Sequence, residues 1–128
     1  MSDFKPAGFH SVTPYLVVEG ADRLLQFLKD AFDAEELFTH RRDDGAIMHC
    51  EMKIGDSVVE MGQANPKWAA MPTSLHLYVP DTDAVYAKAM AAGAKSLEEP
   101  KDADYGDRTA GVQDPAGNHW FIATFQRR

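Results

Sequence analysis

His49, Glu51, Glu60, His76 and His119 are five of the side chains with the chemistry to hold a metal ion or move a proton. Imidazole and carboxylate groups ligate borderline divalent metals. Without a metal, either group can act as a general base. What these five can do depends on whether the chain brings them to one face.

The stretch "MHCEMKIGDSVVEM", Met48 to Met61, supplies the first constraint. Gly-Asp between two strand-like runs is a two-residue hairpin signal. Such a turn at Gly55-Asp56 pairs Ile54 with Ser57, Met52 with Val59, Glu51 with Glu60 and Cys50 with Met61. Cross-strand partners share a side, and sides alternate along a strand. One face then carries Cys50, Met52, Ile54, Val59 and Met61, an apolar set suited to packing under a helix. The other carries Ile47, His49, Glu51, Val58 and Glu60. Glu51 and Glu60 would repel across the strands. Buried together, one could serve as a general base; otherwise at least one is solvated, or paired with Lys53 or an arginine. Cys50, on the helix side, is expected to be a small hydrophobe rather than a nucleophile. Ser/His/Asp order, a P-loop and a dinucleotide glycine pattern are all missing.

The hairpin belongs to a larger repeat. "TPYLVVEGADRLLQFLKDAFDAEEL" begins at Thr13 and "SLHLYVPDTDAVYAKAMAAGAKSL" at Ser74, an offset of 61 (13 to 74). Each opens with a strand and passes an acidic turn into a helix. The first helix places Leu24, Leu25, Phe27, Leu28, Ala31 and Phe32 at helical spacing; the second places Val85, Ala89 and Ala92, with Gly93 as C-cap. The same offset carries Ser57–Glu60 onto Asn118–Phe121, in "GVQDPAGNHWFIAT", where Ala116-Gly117 is the hairpin signal and Asp114-Pro115 sets the turn. Both halves read strand, helix, three strands. In the second, Trp120 and Ile122 fall on the helix side with Leu75, Leu77 and Val79. Ser74, His76, Tyr78, His119, Phe121 and Ala123 fall opposite. The first strand sends Pro14, Leu16 and Val18 to the helix, and Thr13, Tyr15 and Val17 away. The fold expected is α+β: two βαβββ units, about 12–62 and 73–125, in a single domain spanning 1–128, their curved sheets forming a cup with helices outside.

Two connections are too rich in aromatic and charged residues for plain linkers. In "GQANPKWAAMPTS", Trp68 either folds over the cup mouth or packs on a partner subunit. In "EEPKDADYGDRTA", Tyr105 and Arg108 lie close to the start of a strand, and the residues alone let Arg108 offset Asp104 and Asp107. His10 and His40 lie outside the inward positions and are expected at the surface.

Composition narrows the partners. A net charge of −7 with no Lys/Arg cluster excludes nucleic acid and anionic membranes as expected partners. One cysteine precludes an internal disulfide and suits a reducing compartment. No apolar run reaches membrane-spanning length, and "MSDFKPAG" lacks a secretory hydrophobic region, so a cytoplasmic protein is expected.

With these motifs in place the chain, from Thr13 to Phe125, resembles the vicinal oxygen chelate superfamily: glyoxalase I, extradiol dioxygenases, fosfomycin resistance enzymes and bleomycin-sequestering proteins. "TPYLVVEGADRLLQFLKDAF", "IGDSVVEM" and "GVQDPAGNHWFIAT" carry the resemblance, the first and last being most similar to the phosphonate-operon-associated, glyoxalase-like subgroup. The resemblance implies a metal-ligand set at Thr13, Glu60, Ser74 and Phe121. Only Glu60 is competent there, since Phe121 cannot coordinate and neutral hydroxyls substitute poorly. It also implies a homodimer. The expected function is therefore metal-free binding, without a cofactor, of a small aromatic or partly cationic molecule. The ligand-binding residues would be Thr13, Tyr15, His49, Glu51, Glu60, Trp68, Ser74, His76, Tyr78, Tyr105, Arg108, His119 and Phe121, with the glutamates supplying negative charge. The alternative is a metal-dependent lyase, isomerase or dioxygenase with a displaced set: Glu60, His76, His119 and His49.

Overall fold

The structure is a computed structural model and describes residues 4–127. Its elements are β1 (Tyr15–Val18), α1 (Ala21–Phe32), β2 (Glu35–Arg41), β3 (Ile47–Ile54), β4 (Ser57–Gln63), β5 (Ser74–Tyr78), α2 (Thr82–Ala91), β6 (Lys95–Asp102), β7 (Arg108–Gln113) and β8 (His119–Thr124). They form two four-stranded mixed sheets, ordered β1-β4-β3-β2 and β5-β8-β7-β6. This is the expected α+β pair of βαβββ units. The repeat holds at the level of register: Tyr15 pairs with Glu60 across the parallel strands β1 and β4, and His76 pairs with Phe121 across β5 and β8.

The β3–β4 hairpin has the predicted pairing, with Glu51 opposite Glu60 and Ile54 opposite Ser57. Its apolar face is buried throughout, from Cys50 and Met52 to Val59 and Met61. Strict alternation fails at four residues, one of them Pro14, which is expected on the helix side and is exposed just before β1. Ile47, placed on the outer face by counting, is buried, because a bulge between His40 and Arg41 shifts the β2–β3 register and leaves Met48 exposed instead. Val58 and Ala123 are also buried. The second hairpin is wider than a two-residue turn. Residues 114–118 connect β7 to β8, and Ala116-Gly117 lies inside that loop. Asp114 organises it: the buried carboxylate accepts bonds from the Ala116 and Asn118 amides, the Asn118 side chain and Trp120 Nε1 at 2.8–3.0 Å.

α1 buries Leu24, Leu25, Phe27, Leu28, Ala31 and Phe32, as its spacing predicts. Each large side chain among them contributes ~1.5–3 kcal/mol of transfer free energy. Gln63, from the end of β4, caps this helix by accepting from the Gly20 and Ala21 amides at 3.1 and 2.9 Å. α2 starts under Asp81, whose side chain accepts from Ala84 N at 3.1 Å, and buries only Thr82 and Ala89.

The units join on their helix sides. Phe32 of α1 lies 4.9 Å, centroid to centroid, from Trp120 of β8, and Lys88 of α2 reaches Asp33 at 2.7 Å. The connecting segment also binds back, with Met71 forming a β-bridge to Val17 on the free edge of β1. The opposite sheet faces stay open: Tyr15, Phe38, Tyr78 and Phe121 are 43–58% exposed.

Candidate functional site

The expected ligand-binding residues separate into two groups. The first is on the outer face of the first sheet. β3 and β4 hold Glu51 and Glu60 side by side, and His49 lies two residues before Glu51. Ligand atoms of the three lie within 4.8 Å of one another, all on half-buried side chains. His49 Nε2 is 2.8 Å from Glu51 Oε2. The imidazole is held between two rings, stacked on Tyr15 at 5.8 Å and tilted against Phe38 at 6.3 Å. Neither glutamate pairs with Lys53 or with an arginine among the described residues.

Tyr15 closes one side of this group. Its hydroxyl donates to the Met48 carbonyl at 3.3 Å. Burial, and next the Glu60 carboxylate, push the phenol above its ordinary range, so it remains a neutral donor. The close packing depends on Gly62 of β4. A Cβ there would fall 2.7 Å from both the Met48 carbonyl oxygen and the Tyr15 hydroxyl.

The second group lies at the seam between the halves, where Thr13, Ser74, His76 and Tyr78 line a cavity of about 730 Å³. That is within the ordinary size of a small-molecule pocket. Its floor consists of helix-side residues of both sheets: Ile54, Val59, Leu75, Leu77 and Trp120. Leu75 and Leu77 of β5 are only half-buried, whereas Leu16 and Val18 of β1 are sealed. The rim is polar. His10 and Asp56 belong to it, although the sequence pattern assigns neither to a site. The signal available was positional: Asp56 is the carboxylate in the turn of the first hairpin.

The remaining expected residues have other surroundings. His119 and Phe121 make an edge-to-face pair at 6.5 Å on the outer face of the second sheet, next to His76 and Tyr78, whose rings are 4.7 Å apart. Trp68 is 60% exposed, with Lys67 over its ring. Tyr105 packs under the Arg127 guanidinium at 5.7 Å. Arg108 is committed to α2, where it grips Asp83 with two bonds of 2.9 Å and also reaches Asp102 at 3.5 Å. The bidentate bond raises the arginine and lowers Asp83 from their ordinary values. Cys50 is buried beside Thr39, and burial raises its thiol, consistent with a packing role.

The metal set implied by the fold does not fit these residues. Thr13 and Ser74 present neutral hydroxyls to the cavity, Phe121 presents a hydrocarbon ring, and Glu60 alone is a competent ligand. Among the described residues the grouping with metal-ligand chemistry is His49, Glu51 and Glu60, a different set. His76 and His119, expected in a displaced set, are not part of it.

Two sheets of this topology, joined through their helices, define a glyoxalase-type domain. The sequence matches the Glyoxalase/Bleomycin resistance protein/Dioxygenase superfamily over residues 8–122, and the chain belongs to that family. An uncharacterized protein of Mycobacterium bovis is 32% identical, the match covering 88% of this chain and 81% of that protein. Among solved structures, TioX from Micromonospora sp. ML1 superposes with a TM-score of 0.78 at 21% identity, covering 90% of this chain and 98% of its own. A PhnB protein from Bacillus cereus gives 0.74 at 19% identity, covering 91% and 100%.

Proposed function

We propose that this protein binds a small organic molecule, aromatic or partly cationic, in the seam cavity without a metal ion there. The cavity itself carries this reading: an apolar floor drawn from both halves, beneath a rim of hydroxyl, imidazole and one carboxylate. The half-buried Leu75 and Leu77 supply contact area, His76 and Tyr78 a stacking edge, and Asp56 a countercharge. The net charge of −7 favours cations at long range.

We further propose that two chains pair. Among the described residues β5 is an edge strand of its sheet and the outer edge of β1 is bridged at Val17 by Met71, while the aromatic faces beside these edges are exposed. Pairing along these edges would close the cavity mouth. Cytoplasmic residence and a place near the phosphonate-associated subgroup belong to the same reading. The buried single cysteine supports the first and the likeness to the PhnB protein the second. Among the described residues no helix is long and apolar enough to cross a membrane.

A thermal-shift and calorimetric screen of aromatic amines and small acids tests the proposal. Hits should bind equally well in EDTA and should be lost in Leu77→Trp, which fills the floor. Hits that need metal, or that survive Leu77→Trp in a folded protein, would overturn it.

A further inference from the structure

We propose that His49, Glu51 and Glu60 form a divalent transition-metal site carried wholly by the first sheet, separate from the seam cavity. None of the three lines that cavity. Two half-buried carboxylates face each other across β3 and β4, an arrangement that a cation between them would stabilise. Of the positive groups that could neutralise them, Lys53 is exposed and pairs with neither; the neighbouring imidazole is the one polar side chain bonded to the pair. Glu60 makes no side-chain hydrogen bond of its own among the described residues. That leaves its oxygens available.

The geometry is close to what an ion requires. Zn–N and Zn–O distances are about 2.0–2.2 Å, so two donors on one ion lie roughly 3–3.5 Å apart. His49 Nε2 and Glu51 Oε2 are already 2.8 Å apart, and the whole triad falls within 4.8 Å. Rotation about the glutamate side-chain bonds covers the difference. The imidazole is already stacked on Tyr15, with Phe38 beside it. One nitrogen and two oxygens suit Zn²⁺, Mn²⁺, Co²⁺ or Ni²⁺ better than Cu(I), which prefers sulfur. With three protein ligands on a solvent-facing sheet, the remaining positions would be taken by water or by a carbonyl or carboxylate ligand.

This set departs from the one the fold implies in a way that can be measured. The implied positions divide between the halves, so an ion there would need both sheets. The triad needs only β3 and β4. Binding should therefore be indifferent to the second sheet.

The test is titration of the full-length, EDTA-treated protein with ZnCl₂ by calorimetry and with CoCl₂ by visible absorption. The expected result is one ion per chain with a Kd below about 100 µM. His49→Gln, Glu51→Gln and Glu60→Gln should each weaken binding about 10-fold or more. His76→Ala and Phe121→Ala should leave it within about 2-fold. Circular dichroism and melting temperature establish that each variant folds. Should a variant not fold, Mn²⁺ broadening of NMR signals in the wild-type protein decides: loss at His49, Glu51 and Tyr15, with His76 and His119 preserved, supports the site. Three outcomes overturn it: no saturable binding up to about 1 mM, a loss caused equally by His76→Ala, or unchanged affinity in folded Glu51→Gln. The metal alone is the probe, so failure here leaves the EDTA-insensitive organic ligand of the cavity unaffected.

Discussion

The two helices occupy equivalent places in the repeat yet are built differently. α1 presses three leucines and two phenylalanines into its sheet, while α2 offers mainly alanines and buries little beyond Thr82 and Ala89. The first half can thus seal its own core. The second takes part of its core from the first, through Phe32 against Trp120, and leaves β5 half-covered at the seam. The cavity is a consequence of this inequality. Where the repeat is symmetric the molecule is packed; where it is unequal there is room for a ligand.

The contrast can be broken most forcefully at Trp120. Trp120→Ala should cost ~4 kcal/mol in urea unfolding, more than any single truncation confined to α2. If the second half were self-sufficient, the loss would be small. The hairpins give the next test. Asp114→Ala strands several buried donors and should cost ~3 kcal/mol, whereas Asp56→Ala in the tight, exposed first turn should stay within ~0.5 kcal/mol. Equal losses would mean the loops are interchangeable. Within α2, Val85→Ala should lower stability by only ~1 kcal/mol, since Val85 is half-buried.

The smallest effect compares two ion pairs. Asp22 pairs with Arg41 in the first half, and Asp83, at the equivalent place 61 residues on (22 to 83), pairs with Arg108 in the second. Hydrogen bonds to arginine lower both carboxyls. Their contribution is present above the ordinary aspartate range and disappears as pH falls through the lowered folded values. Asp83→Asn and Asp22→Asn should each flatten the acid limb of a stability-versus-pH curve, slightly because both pairs face solvent. A change on the alkaline side instead would refute the assignment.

Much of this architecture was legible in the residues. A two-residue Gly-Asp turn leaves one pairing register, so the meeting of Glu51 with Glu60 followed from counting. The offset of 61 carried that register into the second half. Counting failed where the chain adds or loses a residue: Ile47 sits beyond a bulge, and the second turn widens around Asp114. Arg108 shows another limit. Its partner Asp83 is 25 residues away in sequence, on a helix whose docking decides which way the arginine turns. The aspartates close to it in the loop are the wrong ones. The cavity was the least legible feature, because it arises from side chains that α2 does not have. Thr13, Ser74, His76 and Tyr78 could be named in advance; His10 and Asp56 join them through the packing of the halves.

Gly62 has one more consequence. Because a methyl group there would overlap two oxygens at once, every other amino acid would force Tyr15 off its perch or push β3 away from β4. In a saturation library scored for folded yield, this site should tolerate no replacement, while glycines on open turns such as Gly55 accept asparagine. A phenol locked in place by the absence of a side chain is a fixed gatepost beside the acidic pair, and whatever enters that pair must fit around it.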